Sequence, residues 1–150
     1  MASSMAAPGP QTARAAAFCE RFGLRLPILM APMAGASPPG LAASVANAGG
    51  MGALGALSST PQAIAEWARA FRARSNGSFQ VNLWIPDPSP LRDAAREAAM
   101  AEFLAGFGPR PAIPDGPYLP DFAAQCAAMI DAGPAVISSI MLRDSRILLV

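Results

Sequence analysis

Residues 26–85 read LPILMAPMAGASPPGLAASVANAGGMGALGALSSTPQAIAEWARAFRARSNGSFQVNLWI, and the rhythm of this stretch decides the fold. Leu26 to Ala31 is a short apolar run stopped by Pro32, with the length and branching of a strand buried on both faces. A turn rich in Gly and Pro follows. Ser37 then stands as a helix N-cap with Pro38 at the first helical position, and Leu41, Ala42, Val45 and Ala48 recur at helical spacing until Gly49 and Gly50 stop them. Met51 to Ala56 is a second apolar segment. Thr60-Pro61 repeats the cap-then-proline signal, and Ile64, Trp67, Ala68 and Phe71 line one face of a second helix that ends in Arg72, Arg74 and Asn76-Gly77. Phe79 to Ile85 alternates apolar with polar residues, a third strand closed by Pro86. Strands joined by helical crossovers of about 20 residues form right-handed βαβ units with a parallel sheet, so the fold class is α/β.

Beyond Pro86 the rhythm loosens. Asp87-Pro88-Ser89-Pro90 starts a helix through about Leu104, whose Arg92, Asp93, Arg96, Glu97 and Glu102 read as a solvated charged face. Gly106 to Pro120 holds five prolines and three glycines, too many for regular structure. Asp121 caps another helix with Phe122, Cys126, Met129 and Ile130 on one face, Gly133-Pro134 ends it, and Ala135 to Ile140 is a fourth strand. Residues 1–17 read as a loose leader, and residues 142–150 form a divergent tail finishing on Ile147-Leu148-Leu149-Val150.

Composition narrows the function. The 150 residues are 53% hydrophobic and 14% charged, which argues for a core and against disorder. Eleven basic residues, all Arg, against 10 acids give a net charge of +1, so no field favours nucleic acid or an anionic membrane. The uncharged stretch from Leu26 to Ala65 is broken by prolines and glycines far too often to cross a membrane. Histidine is absent, which removes the commonest metal ligand and the usual base near neutral pH; no metal site and no Ser/His/Asp or Cys/His machinery is expected. Cys19 and Cys126 lack paired spacing and read as small buried hydrophobes in a reducing, cytoplasmic compartment.

Ligands of parallel α/β folds gather beyond the carboxyl ends of the strands, which draws attention to residues 31–37, 55–59, 82–84 and 138–141. Asn82 stands out as an amide in the second half of an apolar strand, either satisfied in the core or aimed at a ligand. Gly50-Met51-Gly52-Ala53-Leu54-Gly55 matches G-x-G-x-x-G, yet a strand runs through it and no helix opens at its end. Close helix-to-sheet packing explains these glycines better than dinucleotide binding does. With side-chain catalysis so poorly supplied, an enzyme of this sequence needs a cofactor to bring the reactivity.

Pro27-Ile28-Leu29-Met30-Ala31-Pro32-Met33-Ala34-Gly35, Ala46 to Gly55 and Val81-Asn82-Leu83, in that order and spacing, resemble the nitronate monooxygenase (2-nitropropane dioxygenase) family over roughly Phe18 to Met141. The resemblance implies an FMN-binding (β/α)₈ barrel that oxidises alkyl nitronates with dioxygen. By the same motifs, Ala31, Pro32 and Met33 would lie against the flavin ring and Asn82 would hydrogen-bond it, with Gly49 and Gly50 shaping the turn into the second strand and Ser138 and Ser139 at the mouth of the fourth. The family's catalytic histidine and glycine-rich phosphate loops come later in the barrel and are not in these residues, so no catalytic residue is assigned. A whole barrel takes about 250 residues. The expectation is therefore the first half of a barrel, truncated after about the fourth strand, weakly active or inactive and prone to self-association through open edges. Two alternatives accompany it: the flavin-dependent enoyl reductase branch of the family, and a non-catalytic oligomerising fragment.

Overall fold

The computed structural model describes residues 10–86, 91, 93–109 and 119–140. In chain order the elements are α1 (Pro10–Phe22), α2 (Pro39–Asn47), β1 (Gly52–Gly55), α3 (Pro61–Arg72), β2 (Phe79–Trp84), α4 (Ala94–Ala105), α5 (Phe122–Asp131) and β3 (Val136–Ile140). The strands are parallel and ordered β1-β2-β3. Gly55 is paired with Asn82 on one side and bridged to Ala34 on the other, so the segment before α2 runs along the outer edge of β1. Spatial order thus follows sequence order without the reversal of a doubly wound sheet. This is the strand progression of the first half of a (β/α)₈ barrel.

The two faces of the sheet have different neighbours. Gly52, Leu54, Phe79, Val81 and Leu83 face the helices, where Phe71 and Ile64 of α3 and Met129 of α5 are fully buried. Trp67, Phe71 and Phe79 form an aromatic cluster with centroids 4.9–5.5 Å apart, and truncating a ring of this kind to Ala typically costs about 3–5 kcal/mol. Arg72 stacks its guanidinium over Phe79 and donates to the carbonyls of Ala132 and Gly133, tying α3 to the end of α5. Below the strands, Phe18, Cys19 and Phe22 of α1 pack on Leu24, Met51 and Val136, and Ser78 Oγ donates to the Phe22 carbonyl.

Several expectations need correction. The first strand, Leu26 to Ala31, is not a strand buried on both faces: it makes one isolated bridge, Leu29 to Met51, and Leu26, Ile28 and Leu29 are each more than 40% exposed. Pro27 and Pro32 have no N–H to give a ladder, and among the described residues the segment is bridged on one side alone. Ser37 does not cap α2. Its hydroxyl accepts from the Met33 N–H and donates to the Ala31 carbonyl, occupying groups that a strand neighbour would use, while Pro38 takes the cap position. Residues 10–17 are helical, part of α1, where a loose leader was expected. α4 starts later than expected, behind Asp93, whose carboxylate accepts from Ala95 and Arg96; Asp87, Pro88, Ser89, Pro90 and Arg92 lie outside the described residues. On α5 Met129 is buried as expected and Phe122 and Cys126 pack against the core, but Gln125 is buried with them and Ile130 is 61% exposed. The Thr60 and Asp121 caps are as expected, accepting from Ala63 and Ala124. The tail from residue 141 lies outside the described residues.

The glycines of G-x-G-x-x-G are packing residues. A Cβ at Gly50 would lie 2.7 Å from the Ile28 carbonyl, at Gly52 2.8 Å from the Ala42 carbonyl, and at Gly55 2.6 Å from the Ala34 nitrogen. Gly52→Ala should therefore destabilise the chain by about 1–3 kcal/mol through overpacking. Gly40→Ala, in an open position of α2, should stabilise it by about 0.4–1 kcal/mol. Equilibrium urea unfolding of both variants checks the pair, and equal effects would contradict the packing assignment.

Candidate functional site

The remaining face of the sheet is the inner one. Strand register places Ala53, Gln80 and Val136 in one row, Gly55, Asn82 and Ser138 in the next, and Trp84 and Ile140 above them. The lowest row is braced by Gln80, whose Nε2 reaches across β1 to donate to the Met30 carbonyl at 2.9 Å. In the middle row, Asn82 Nδ2 donates to Ser138 Oγ at 3.0 Å. Gly55 has no side chain in that row, and the backbone of Met33 and Ala34 takes the space one would fill.

Above it, at the carboxyl ends of the strands, is a hollow of about 220 Å³. Pro32 and Ala34 wall one side, Gly55, Ala56 and Leu57 the middle, and Asn82, Trp84 and Ile140 the other. The loop from Pro32 to Ser37 is held from outside: Trp67 Nε1 of α3 donates to the Ser37 carbonyl at 2.8 Å. A larger cleft of about 420 Å³ lies between α3 and α5 on the helix layer, away from the strand ends. Position at the carboxyl ends of the strands, with the oriented Asn82 amide in its wall, selects the smaller hollow.

The residues expected to contact the flavin divide as follows. Pro32 and Asn82 meet in the hollow. Met33 is not among its lining residues; its side chain is 45% exposed, and its backbone is what packs on Gly55. Ala31 is exposed beside it, with its carbonyl held by Ser37. Asn82 is 8% exposed and hydrogen-bonded to Ser138, so its amide is oriented before any ligand arrives. Ser139 points away from this row and donates to the Ile140 carbonyl. Gly49 has φ +97°, the left-handed turn that leads into β1.

Sequence reasoning missed Gln80, Trp67 and Gln125 as site supports. A lone amide on the apolar face of FAAQCAAMI was the available signal for Gln125. Burial pushes the Cys126 thiol pKa up, so this side chain stays a neutral hydrophobe around neutral pH.

The Asn82 to Ser138 bond yields a direct test. Ser138→Ala should cost about 1–2 kcal/mol because the Asn82 amide loses its partner, whereas Ser138→Ala in an Asn82→Leu background should cost markedly less. A double-mutant cycle by urea unfolding measures the coupling; purely additive effects would show that the bond contributes nothing.

The hollow, the parallel strands and the motif residues that meet there can now be set beside known proteins. The family model for nitronate monooxygenase matches residues 17–141. A nitronate monooxygenase of Pseudomonas aeruginosa is 37% identical over 100 residues, covering 64% of this chain and 28% of that protein. One from Paraburkholderia phytofirmans is 35% identical over 125 residues, covering 78% and 34%. Among solved structures, nitroalkane oxidase from Streptomyces ansochromogenes superposes with a TM-score of 0.67 at 31% identity, covering 82% of this chain and 35% of that one. The chain spans about a third of the length of these curated relatives. Matched over most of its own length in both sequence and structure, the chain belongs to the nitronate monooxygenase family.

Proposed function

We propose that this chain supplies the wall for the flavin ring in an FMN-dependent barrel that oxidises alkyl nitronates with dioxygen. The observation that carries the reading is that Pro32 and Asn82, distant in sequence, border one hollow at the carboxyl ends of parallel strands in a chain of this family. The lining suits a flat, uncharged heteroaromatic ring: Pro32, Ala34, Leu57, Trp84 and Ile140 offer apolar contact, Gly55 gives close backbone approach, and Asn82 offers an amide. In this reading the Ala31-Pro32-Met33 segment lies along the ring, Asn82 hydrogen-bonds its polar edge, and Ser138 holds Asn82 in that orientation. Bound FMN supplies the electron transfer from nitronate to dioxygen that no side chain here can perform.

The same lining limits what the chain does alone. Among the described residues none that lines the hollow is cationic, so these offer a flavin phosphate no charged partner. Its 220 Å³ falls short of the 300–1,000 Å³ usual for a cofactor site, as expected of one wall of a larger enclosure. No histidine stands ready to take a proton. Turnover by these residues alone is accordingly weak or nil. Trp84 and Ile140 at the mouth, and Leu29 on the edge segment, are each at least 40% exposed, a surface that favours self-association.

Flavin binding tests the proposal. FMN and riboflavin should bind with affinities within about twofold of each other, because a charged hydrogen bond to phosphate would be worth about 1.5–3 kcal/mol, tenfold or more, and no described residue lining the hollow is a partner for it. Asn82→Leu should weaken both by about tenfold. Flavin fluorescence titration and co-elution of yellow colour in size-exclusion chromatography report on it. A colourless protein under saturating flavin would refute the flavin wall. Should the flavin-loaded chain oxidise NAD(P)H with an enoyl thioester instead of consuming oxygen with a nitronate, the enoyl reductase branch is the right one.

A further inference from the structure

We infer that Gln125, on the helix layer outside the sheet, is a positioning residue for the hollow: its side-chain amide fixes the loop after β1 that forms the hollow's middle wall. Gln125 is 2% exposed on α5. Its Nε2 donates to three carbonyls of one loop, Ala56 at 3.1 Å, Leu57 at 3.2 Å and Ser59 at 2.8 Å. Ala56 and Leu57 line the hollow, and Ser59 lines an adjoining recess with Gly55, Ser37 and Trp67.

The chemistry on each side explains the other. Between the end of β1 and the Thr60 cap of α3 the chain has no repeating structure to satisfy its carbonyls, and such groups rarely remain unpaired when buried. A primary amide buried in an apolar helix face is costly unless its donors are used. Seated together, loop and amide satisfy each other. For packing α5 alone an apolar side chain would serve at position 125, as Met129 does further along the helix.

The contacts then run unbroken into the site. The Ser59 N–H closes a turn onto the Ala56 carbonyl at 3.0 Å, the Ala56 N–H donates to the Asn82 carbonyl at 2.9 Å, and the Asn82 amide donates to Ser138. Because the C=O of one residue and the N–H of the next point in opposite directions across a planar trans peptide, drawing the Ala56 and Leu57 carbonyls toward α5 turns the Leu57 and Ser58 N–H groups away from it. Gln125 thereby decides which backbone groups this wall presents. As a role toward flavin this rests on the reading above; the clasp itself does not.

Amide hydrogen exchange and FMN titration of Gln125→Met and Gln125→Glu test it. In Gln125→Met, exchange at the Ser59 amide should accelerate at least tenfold while β2 amides hold their rates, and the FMN dissociation constant should rise about tenfold. In Gln125→Glu only the protonated acid can donate, and burial among carbonyls raises its pKa above the ordinary carboxylate value. Ser59 protection should therefore persist at low pH and disappear as pH rises through that shifted pKa, with no such step in the parent chain after correction for intrinsic exchange. A residue that merely fills space would produce no pH step. Should Gln125→Met fail to fold, native-state exchange of the parent decides: Ser59 and the α5 amides should open together, with rates within about threefold. Unchanged Ser59 exchange in Gln125→Met, or Ser59 opening a hundredfold ahead of α5 in the parent, overturns the assignment. A parent chain that binds no FMN counts against the flavin reading alone, and the exchange results still decide the clasp.

Discussion

β1 is a strand with almost no side chains, and the rest of the half-barrel is arranged around that fact. On its helix side Gly52 admits the Ala42 carbonyl and the Phe71 ring to distances at which a Cβ could not stand. At its carboxyl end Gly55 admits the backbone of Met33 and Ala34. The second contact brings the Pro32 loop over the strand ends, and the hollow exists because the loop comes that close. A larger residue at Gly55 would push this wall outward.

The walls gathered there are held from behind. Trp67 on α3 secures the Ser37 carbonyl, Gln125 on α5 secures the loop after β1, and Gln80 within the sheet secures Met30. Each is a buried donor reaching a carbonyl of irregular backbone, where an unpaired group would cost about 1–3 kcal/mol. Loops at strand ends are ordinarily the least constrained part of a parallel fold. Here the helix layer and the inner face of the sheet both constrain them, so the shape of the mouth depends on residues that never reach it.

Charge is as informative as shape. Among the described residues the lining of the hollow carries no ionised side chain, and the chain as a whole is close to neutral. Such a lining suits a planar ring held by apolar contact and a directed amide bond, which is the occupant proposed for it.

Much of this was legible in the residue order. Hydrophobic period, proline-led caps at Thr60 and Asp121, and the spacing of the apolar runs determine the βα alternation, because those signals act within a few residues of the chain. The Pro32 and Asn82 motifs likewise mark two of the residues that border the hollow. Tertiary structure alone decided the rest. Leu26 to Ala31 has strand composition yet forms a single bridge, since pairing depends on a neighbour that local sequence cannot supply. Ser37 has the identity of a cap yet pins Met33 and Ala31, and Gln125 sits in a helix yet serves a loop 66–69 residues away. A hydrogen bond between distant residues is chosen by the three-dimensional position of its acceptor, and that position is set by the whole fold.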